Sequence, residues 1–385
     1  MDPNNFVDSD FGRPGRSNTP VPYCVYLPKR IPRSIALDEP TLALLSNADR
    51  ALGRLGGAGR LLKNPFYLAD LFIRREAVAS TRIEGTQATL DDLYDAESGG
   101  AIGDDVQEVL SYITALNYGL RAVTELPITV AMITELHAQI LVGVRGQDKQ
   151  PGIVRTRPNW IGGNDPATAR FVPPPHTALP DALADLEAFL HENLLMPPLI
   201  KCALMHYQFE TLHPFLDGNG RLGRLLIVLY LVEQGHLPSP LLYMSTYFER
   251  HKPDYYDALQ GVREKGDVQT WLRYFLRGIA VQANDAVRRS EQLADLAETY
   301  RSRLQGSRSR AHELIDVLIA TPVIATAQVR TRLGVTSAGA TNLLRQLEQL
   351  NILRPIAGLP GRSNRWAAHE VLRILTEEVR EVEHE

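Results

Sequence analysis

The sequence predicts a mainly α protein with one short β-hairpin insertion and a C-terminal winged helix-turn-helix module. Three observations carry this. Between about residues 40 and 300, apolar residues recur at three- and four-residue spacing in eight successive stretches. Residues 150–176, "QPGIVRTRPNWIGGNDPATARFVPPPH", break that rhythm with Pro, Gly and short β-like runs. After a polar joint, "QGSRSR" at 305–310, the pattern shortens into three helical segments and a closing hairpin.

Residues 1 to about 38 hold several Pro and few helical signals, so they predict an extended arm packed on the body rather than a signal peptide. "EPTLALLSNADRALGRLGGAG" and "PFYLADLFIRREAVASTRIEG" then read as amphipathic helices. "DVQEVLSYITALNYGLRAV" and "TVAMITELHAQILVG" follow, and 150–176 predicts a surface hairpin or flap. "LPDALADLEAFLHENL", "LIKCALMHYQFETLH" and "GRLLIVLYLVEQG" resume the helical rhythm, with Gly235 as the expected C-terminal cap of the last. One long run from Val268 closes the body. In the final module Gly334 suits the turn and Ser337 is the expected cap of the third helix.

Composition narrows the class. The 385 residues are 44% hydrophobic and 22% charged, with two cysteines, Cys24 and Cys202, outside any metal-ligand spacing. No apolar run reaches the roughly 18 residues a spanning helix needs, so a cytoplasmic protein without a membrane segment is expected. The net charge of −4 conceals an asymmetry. Arg301 to Leu375 hold eleven Arg against four acids, a balance of +7, on an acidic body. A basic module of this kind raises nucleic acid as a partner.

The densest chemistry is "FETLHPFLDGNGRLGR" at 209–224. Pro214 biases its predecessor away from helix, so His213 ends one helix, and the next starts near Asn219. The Gly-rich loop between them offers unpaired backbone N–H groups and the positive end of a helix dipole, a setting for phosphate. Arg221 and Arg224 lie three apart in the first turn, so they are expected to point the same way. Two cations there oppose the dipole unless an anion is bound. Asp217 is a hard oxygen ligand placed to hold Mg²⁺ against a phosphate. His213 can take a proton from a hydroxyl.

"HPFLDGNGRLGR" resembles the signature of the Fic/DOC family at every signature position, and the helical run of about 105–285 resembles a Fic core. The resemblance implies an adenylyltransferase that moves AMP from ATP to a Ser, Thr or Tyr hydroxyl of a target protein or of itself. It makes His213 the general base and Asp217 the Mg²⁺ ligand. Asn219 with the backbone of Gly218 to Gly220 would cradle the transferred phosphate. Arg221 would steady the triphosphate and Arg224 would meet its terminal phosphate. Family members that phosphorylate instead resemble a reduced motif, whereas this chain keeps Gly220 and Arg224. The family's flap holds its target as an added strand, which makes Trp160, Ile161 and Phe171 candidates for docking. Tyr255 and Tyr256, in a Tyr-rich stretch, are candidates for the adenine wall, and adjacent helical positions point about 100° apart, so one of them is expected to face the nucleotide.

"STRIEG" at 80–85 places Ser80 and Glu84 on one helical face, with Gly85 ending the helix. It resembles the family's inhibitory motif, which implies that Glu84 pairs with Arg224 and blocks the terminal phosphate. The expected division is 1–104, an arm and helices with the inhibitory motif; 105–285, the catalytic core; 286–309, a helical linker; 310–376, the winged helix; and 377–385, an acidic tail. Alternatives stay open. One is a transcription regulator with the core as nucleotide sensor and DNA bound by the C-terminal module. Others are removal of AMP and transfer of another phosphate-linked group. The resemblance also raises homodimerisation.

Overall fold

The computed structural model describes residues 1–377 other than 18, 20, 62–64, 98, 145, 147, 238–239, 308 and 357–364. Fifteen α-helices and five short strands are formed among the described residues. None of those helices is long and apolar enough to cross a membrane.

The N-terminal arm departs from the expected extended chain. β1 (Gly12–Arg16) and β2 (Cys24–Pro28) pair as an antiparallel hairpin, with Pro14 opposite Tyr26. Tyr26 then donates its backbone N–H to the Val172 carbonyl at 2.9 Å, and its ring lies 5.8 Å from Phe171. The arm therefore backs the flap.

The body follows the apolar periodicity. α1 (Glu39–Leu61) lies along α11 (Val268–Arg303), and α2 (Pro65–Ile83) and α3 (Leu90–Glu97) cover one side. α4 (Asp104–Ala122), α5 (Val130–Ile140) and α6 (Leu179–His191) surround α7 (Pro198–Leu212) and α8 (Asn219–Glu233). α7 and α8 are apolar almost all round and buried along nearly their whole length, so they form the centre of the body. α9 (Ser245–Arg250) precedes α10 (Lys252–Lys265), which packs against the flap through Arg263 over Phe171. α10 stops at Gly266, which adopts a left-handed φ of 71°.

α11 is one uninterrupted helix of 36 residues, so the expected boundary at 285 falls inside an element. The C-terminal module holds α12 (His312–Ala320), α13 (Thr326–Leu333), α14 (Ser337–Gln349) and α15 (His369–Thr376). Its sheet has the order β3 (Val323–Ala325), β5 (Arg365–Ala367), β4 (Arg354–Ile356). The tip of the β4–β5 hairpin and residues 378–385 of the expected acidic tail lie outside the described residues. Gly334 ends α13 at φ 61°, as the turn requires, but the cap of α14 is Thr336, whose hydroxyl accepts the Gly339 N–H at 3.1 Å. Ser337 is the first helical residue instead. Both residue types can cap, and the turn geometry selects the earlier one.

The module is welded to the body. Its core, including Leu314, Leu318, Trp366 and Leu375, is continuous with that of the body. A buried ion network reinforces the seam. Asp285 of α11 binds Arg289 and Arg288 at 2.8 Å and Arg75 of α2 at 3.5 Å. Arg289, fully buried, also donates to the Ile374 and Glu377 carbonyls that end α15. Removing one partner of a buried pair typically costs about 3 kcal/mol or more. Arg289→Ala is therefore expected to lower the thermal midpoint in scanning fluorimetry and to open the module to protease. Arg288→Ala, at a half-exposed site, is expected to leave both unchanged.

Candidate active site

The 213–224 loop is shaped by contacts made elsewhere in the chain. His213 ends α7 with φ 45° and ψ 59°, a left-handed conformation costly for a residue with a Cβ. Arg155 compensates by capping the end of α7. Its Nε donates to the His213 carbonyl at 2.9 Å, and Nη2 donates to the carbonyls of Pro174 at 2.7 Å and Leu212 at 3.4 Å. One buried guanidinium thus ties the base of the flap to the C-terminus of α7, where a cation suits the dipole.

Below the loop, Phe215 stacks on His137 with ring centroids 3.8 Å apart. His137 Nδ1 accepts the Gly152 N–H at 2.8 Å, so Nε2 carries the hydrogen and donates to the Asp217 carbonyl at 2.9 Å. Burial holds this ring neutral, with a pKa lowered to about 4. Asn219 staples the turn from within. Its side-chain amide donates to the Phe215 carbonyl at 2.8 Å and accepts the Phe215 N–H at 2.9 Å. The same amide retains a second N–H donor.

α8 begins at Gly218, φ 76°, with no side chain capping its first N–H groups. Among the described residues the N–H groups of Asn219, Gly220 and Arg221 have no acceptor. This is an open helix N-terminus of the kind that binds anions. Asp217, with its side chain 43% exposed, stands at the edge.

The two arginines do not point the same way. Arg221 turns to α4, where it binds Glu108 at 3.1 Å, with Asp217 at 3.5 Å. Arg224 turns to α2. Its Nη2 lies 2.7 Å from Glu84 Oε1 and 2.8 Å from the Ser80 carbonyl, and its Nε donates to Ser80 Oγ at 3.0 Å. Both guanidinium groups are buried. Burial pushes the Glu84 carboxyl up, but Arg224, Arg221 and His213 outweigh it and hold the group below its ordinary value. Gly220 is required here: a Cβ would lie 2.3 Å from Glu84 Oε1.

A cavity of about 350 Å³ opens between this pair, His213, the flap at Ile161 and Gly162, and α10 at Lys252 and Tyr256. Its size is that of a small-ligand site. The flap is closed by a single antiparallel bridge between Ile161 and Phe171. Trp160 is 36% exposed, and Ile161 is half-buried. Phe171 is not available on the surface. Its ring is buried, with Arg263 4.0 Å above it. Tyr255 is also buried, with its hydroxyl 2.8 Å from His206 Nε2. Tyr256 is 36% exposed, and both tyrosines line the cavity.

His137, Arg155, Glu108, Arg263 and Glu210 escaped the sequence reading. Each is a lone polar residue in an apolar or irregular stretch, with no spacing to mark it. Glu210 is the most distinctive: it is buried, Oε1 has no hydrogen-bond partner among the described residues, and burial lifts its carboxyl to about 7 against the pull of Arg224.

Residues 42–121 match the Fic/DOC family N-terminal domain and residues 127–231 match the Fic/DOC family. The chain belongs to the Fic/DOC family. A protein of Drosophila melanogaster named protein adenylyltransferase Fic is 28% identical over 251 residues, covering 62% of this chain and 46% of its own. The protein adenylyltransferase fic-1 of Caenorhabditis briggsae is 29% identical over 161 residues, 41% of this chain and 29% of its own. The chain thus spans less than half the length of these curated relatives. A Fic family protein from Desulfovibrio desulfuricans has the same fold, with a TM-score of 0.57 and 21% identity over 90% of this chain and 98% of that one.

Burial, with repulsion from Arg155 and Arg263, lowers the His213 pKa to about 3, against the pull of Glu84 and the Glu210 carbonyl. The imidazole is therefore expected to stay neutral in the folded protein from pH 8 to pH 5, as read by ¹⁵N chemical shifts of labelled histidine. A midpoint near the ordinary 6.5 would contradict the burial. The same shift removes stability as pH falls from 6.5 towards 3, because the unfolded chain takes up the proton first.

Proposed function

We propose that this protein is a protein adenylyltransferase, restrained in cis by Glu84, that transfers AMP from ATP to a Ser, Thr or Tyr hydroxyl of a target protein or of itself. The observation that carries the reading is the convergence on one cavity of a neutral His213, an open α8 N-terminus and the guanidinium of Arg224. Names of relatives, protein adenylyltransferase among them, support the same class.

In this reading the target hydroxyl oxygen attacks the α-phosphorus of ATP and the bond to the pyrophosphate oxygen breaks. His213 takes the hydroxyl proton. The α8 N–H groups hold the phosphate where negative charge develops, a role that rests on fixed dipoles rather than covalent chemistry. Arg221 and Arg224 flank the rest of the triphosphate. Asp217 fits a magnesium ion: it is a half-exposed carboxylate, so an ion there would keep waters and phosphate oxygens as its other ligands. Held by Asp217, a magnesium ion would supply positive charge beside the pyrophosphate leaving group. Tyr256 would wall the base. Target docking would fall to the exposed edge of the flap, with Trp160 and Ile161 nearest solvent and Phe171 as its buried support.

Glu84 restrains the reaction because its carboxylate already occupies Arg224, where the terminal phosphate must bind. With α-³²P-ATP and Mg²⁺, Glu84→Gly is expected to raise label incorporation by about tenfold or more, equivalent to about 1.4 kcal/mol. His213→Ala in that background is expected to lower it by about 10²-fold or more. Unchanged labelling in Glu84→Gly at saturating Mg-ATP would remove the restraint from the proposal. Label entering only from γ-³²P-ATP would replace adenylyl transfer by phosphorylation.

A further inference from the structure

The C-terminal module separates its charges in a way the transfer reaction does not use. The four acids between Arg301 and Leu375 are all engaged. Glu313 pairs with Arg310, Asp316 with Arg301 and Glu370 with Arg303, while Glu348 accepts from Trp366 Nε1. Of the arginines, Arg365 binds Asp95 of α3. Arg330, Arg332, Arg345 and Arg354 are exposed and have no partner among the described residues. Arg330 and Arg332 lie on α13, Arg345 on α14 and Arg354 on β4. A fifth unpaired arginine, Arg373, lies apart on α15, the helix seated against α11.

α14 has two sharply different faces. Ala340, Leu344 and Leu347 are buried against the module core. Ser337, Ala338, Asn342 and Arg345 are exposed, with Thr341 half-exposed beside them, and they stay so with the body in place. These positions form one stripe at helical spacing. The stripe is small and polar at its N-terminal end, where a helix must approach a groove floor closely, and ends in a guanidinium. α13 packs on α14 across a three-residue link and carries two of the exposed arginines, Arg330 and Arg332.

We propose that this face is a docking surface for duplex DNA, with the exposed stripe of α14 in the major groove and Arg330, Arg332 and Arg354 on flanking phosphates. Charge complementarity selects the partner: α14 presents an exposed stripe without an acid, and α13, α14 and β4 together carry four exposed guanidinium groups with no partner among the described residues, on a chain whose net charge is −4. Asn342 and Arg345 are the side chains with the donors and acceptors to read base edges. The inference does not rest on adenylyl transfer.

The test uses the full chain and a fluorescein-labelled 24-base-pair duplex of random sequence, followed by anisotropy from 50 to 200 mM NaCl. Three neutralised phosphates predict a slope of about −3 in log K against log salt. Arg330→Ala/Arg332→Ala/Arg345→Ala is expected to weaken binding at 50 mM NaCl by at least about tenfold and to reduce the slope by about 2. Arg373→Ala, which removes a charge outside the face, is expected to leave affinity unchanged. Thermal midpoints matching wild type certify that the variants fold. Four results would overturn the proposal: no binding at 50 mM NaCl, a triple variant that binds like wild type, an equal loss per arginine at Arg373, or displacement of the duplex by polyglutamate at matched charge. Preference for an RNA hairpin of the same length would overturn it in favour of RNA.

Discussion

The site is organised around a guanidinium that cannot lose its charge. Arg224 is buried, and a buried arginine needs an anion and acceptors for its remaining N–H groups. Glu84 supplies the anion, and Ser80 supplies acceptors through both its hydroxyl and its carbonyl. Neighbouring positions are set by this arrangement. Gly220 is bare because Glu84 fills the space where its Cβ would stand. Gly223 is bare because Glu210 Oε1 would lie 2.4 Å from its Cβ. Two carboxyl groups thus crowd one cation, which explains why only one is held low while burial raises the other.

The loop that holds His213 depends equally on distant support. His137 from α5 carries it from beneath, Asn219 closes it from inside, and Arg155 from the flap secures its carbonyls. The flap in turn leans on the N-terminal hairpin through Tyr26 and Phe171. Preorganisation of this kind fixes a reacting group before substrate arrives, which is where an active site gains most. It also explains a left-handed histidine: the surrounding bonds over-determine a conformation that the residue alone would avoid.

The legible part of the fold was what is local in sequence. Helix positions followed from apolar spacing, the break before Pro214 from steric restriction, and the α8 start from its glycines. The family followed from one unbroken stretch of twelve residues. The sequence was silent where a side chain chooses among partners far along the chain. Arg221 and Arg224 share a helical face by spacing, yet Glu108 draws one to α4 and Ser80 with Glu84 draws the other to α2. Asn219 reads as a phosphate ligand, and its part in closing the turn on Phe215 carries no signal in the sequence. Phe171 and Tyr255 carry the aromatic character that suggested binding; both line the cavity from buried positions, packed against Tyr26, Arg263 and Phe248.

The anchoring of α2 limits how the proposed restraint can be lifted. Glu76, one turn before Ser80, is buried and accepts from the Ser245 N–H and hydroxyl at the start of α9 and from the Tyr112 hydroxyl. Lys252 of α10 donates to the Ile83 carbonyl at 2.5 Å, and the Arg75–Asp285 contact ties the middle of the helix to α11. Withdrawing the whole helix would break these contacts together and leave Arg224 buried without its Ser80 acceptors, a cost of several kcal/mol by order of magnitude. The carboxylate of Glu84 is different. It is 36% exposed at its outer side, and the Gly85 that follows adopts φ 105°, beyond the end of the helix. A triphosphate of higher charge can therefore compete for Arg224 by turning one side chain and the last turn of α2, with the rest of the helix fixed. The restraint then behaves as a competition between two anions for one cation, and its strength is set by how well Ser80 holds Arg224 in place for either of them.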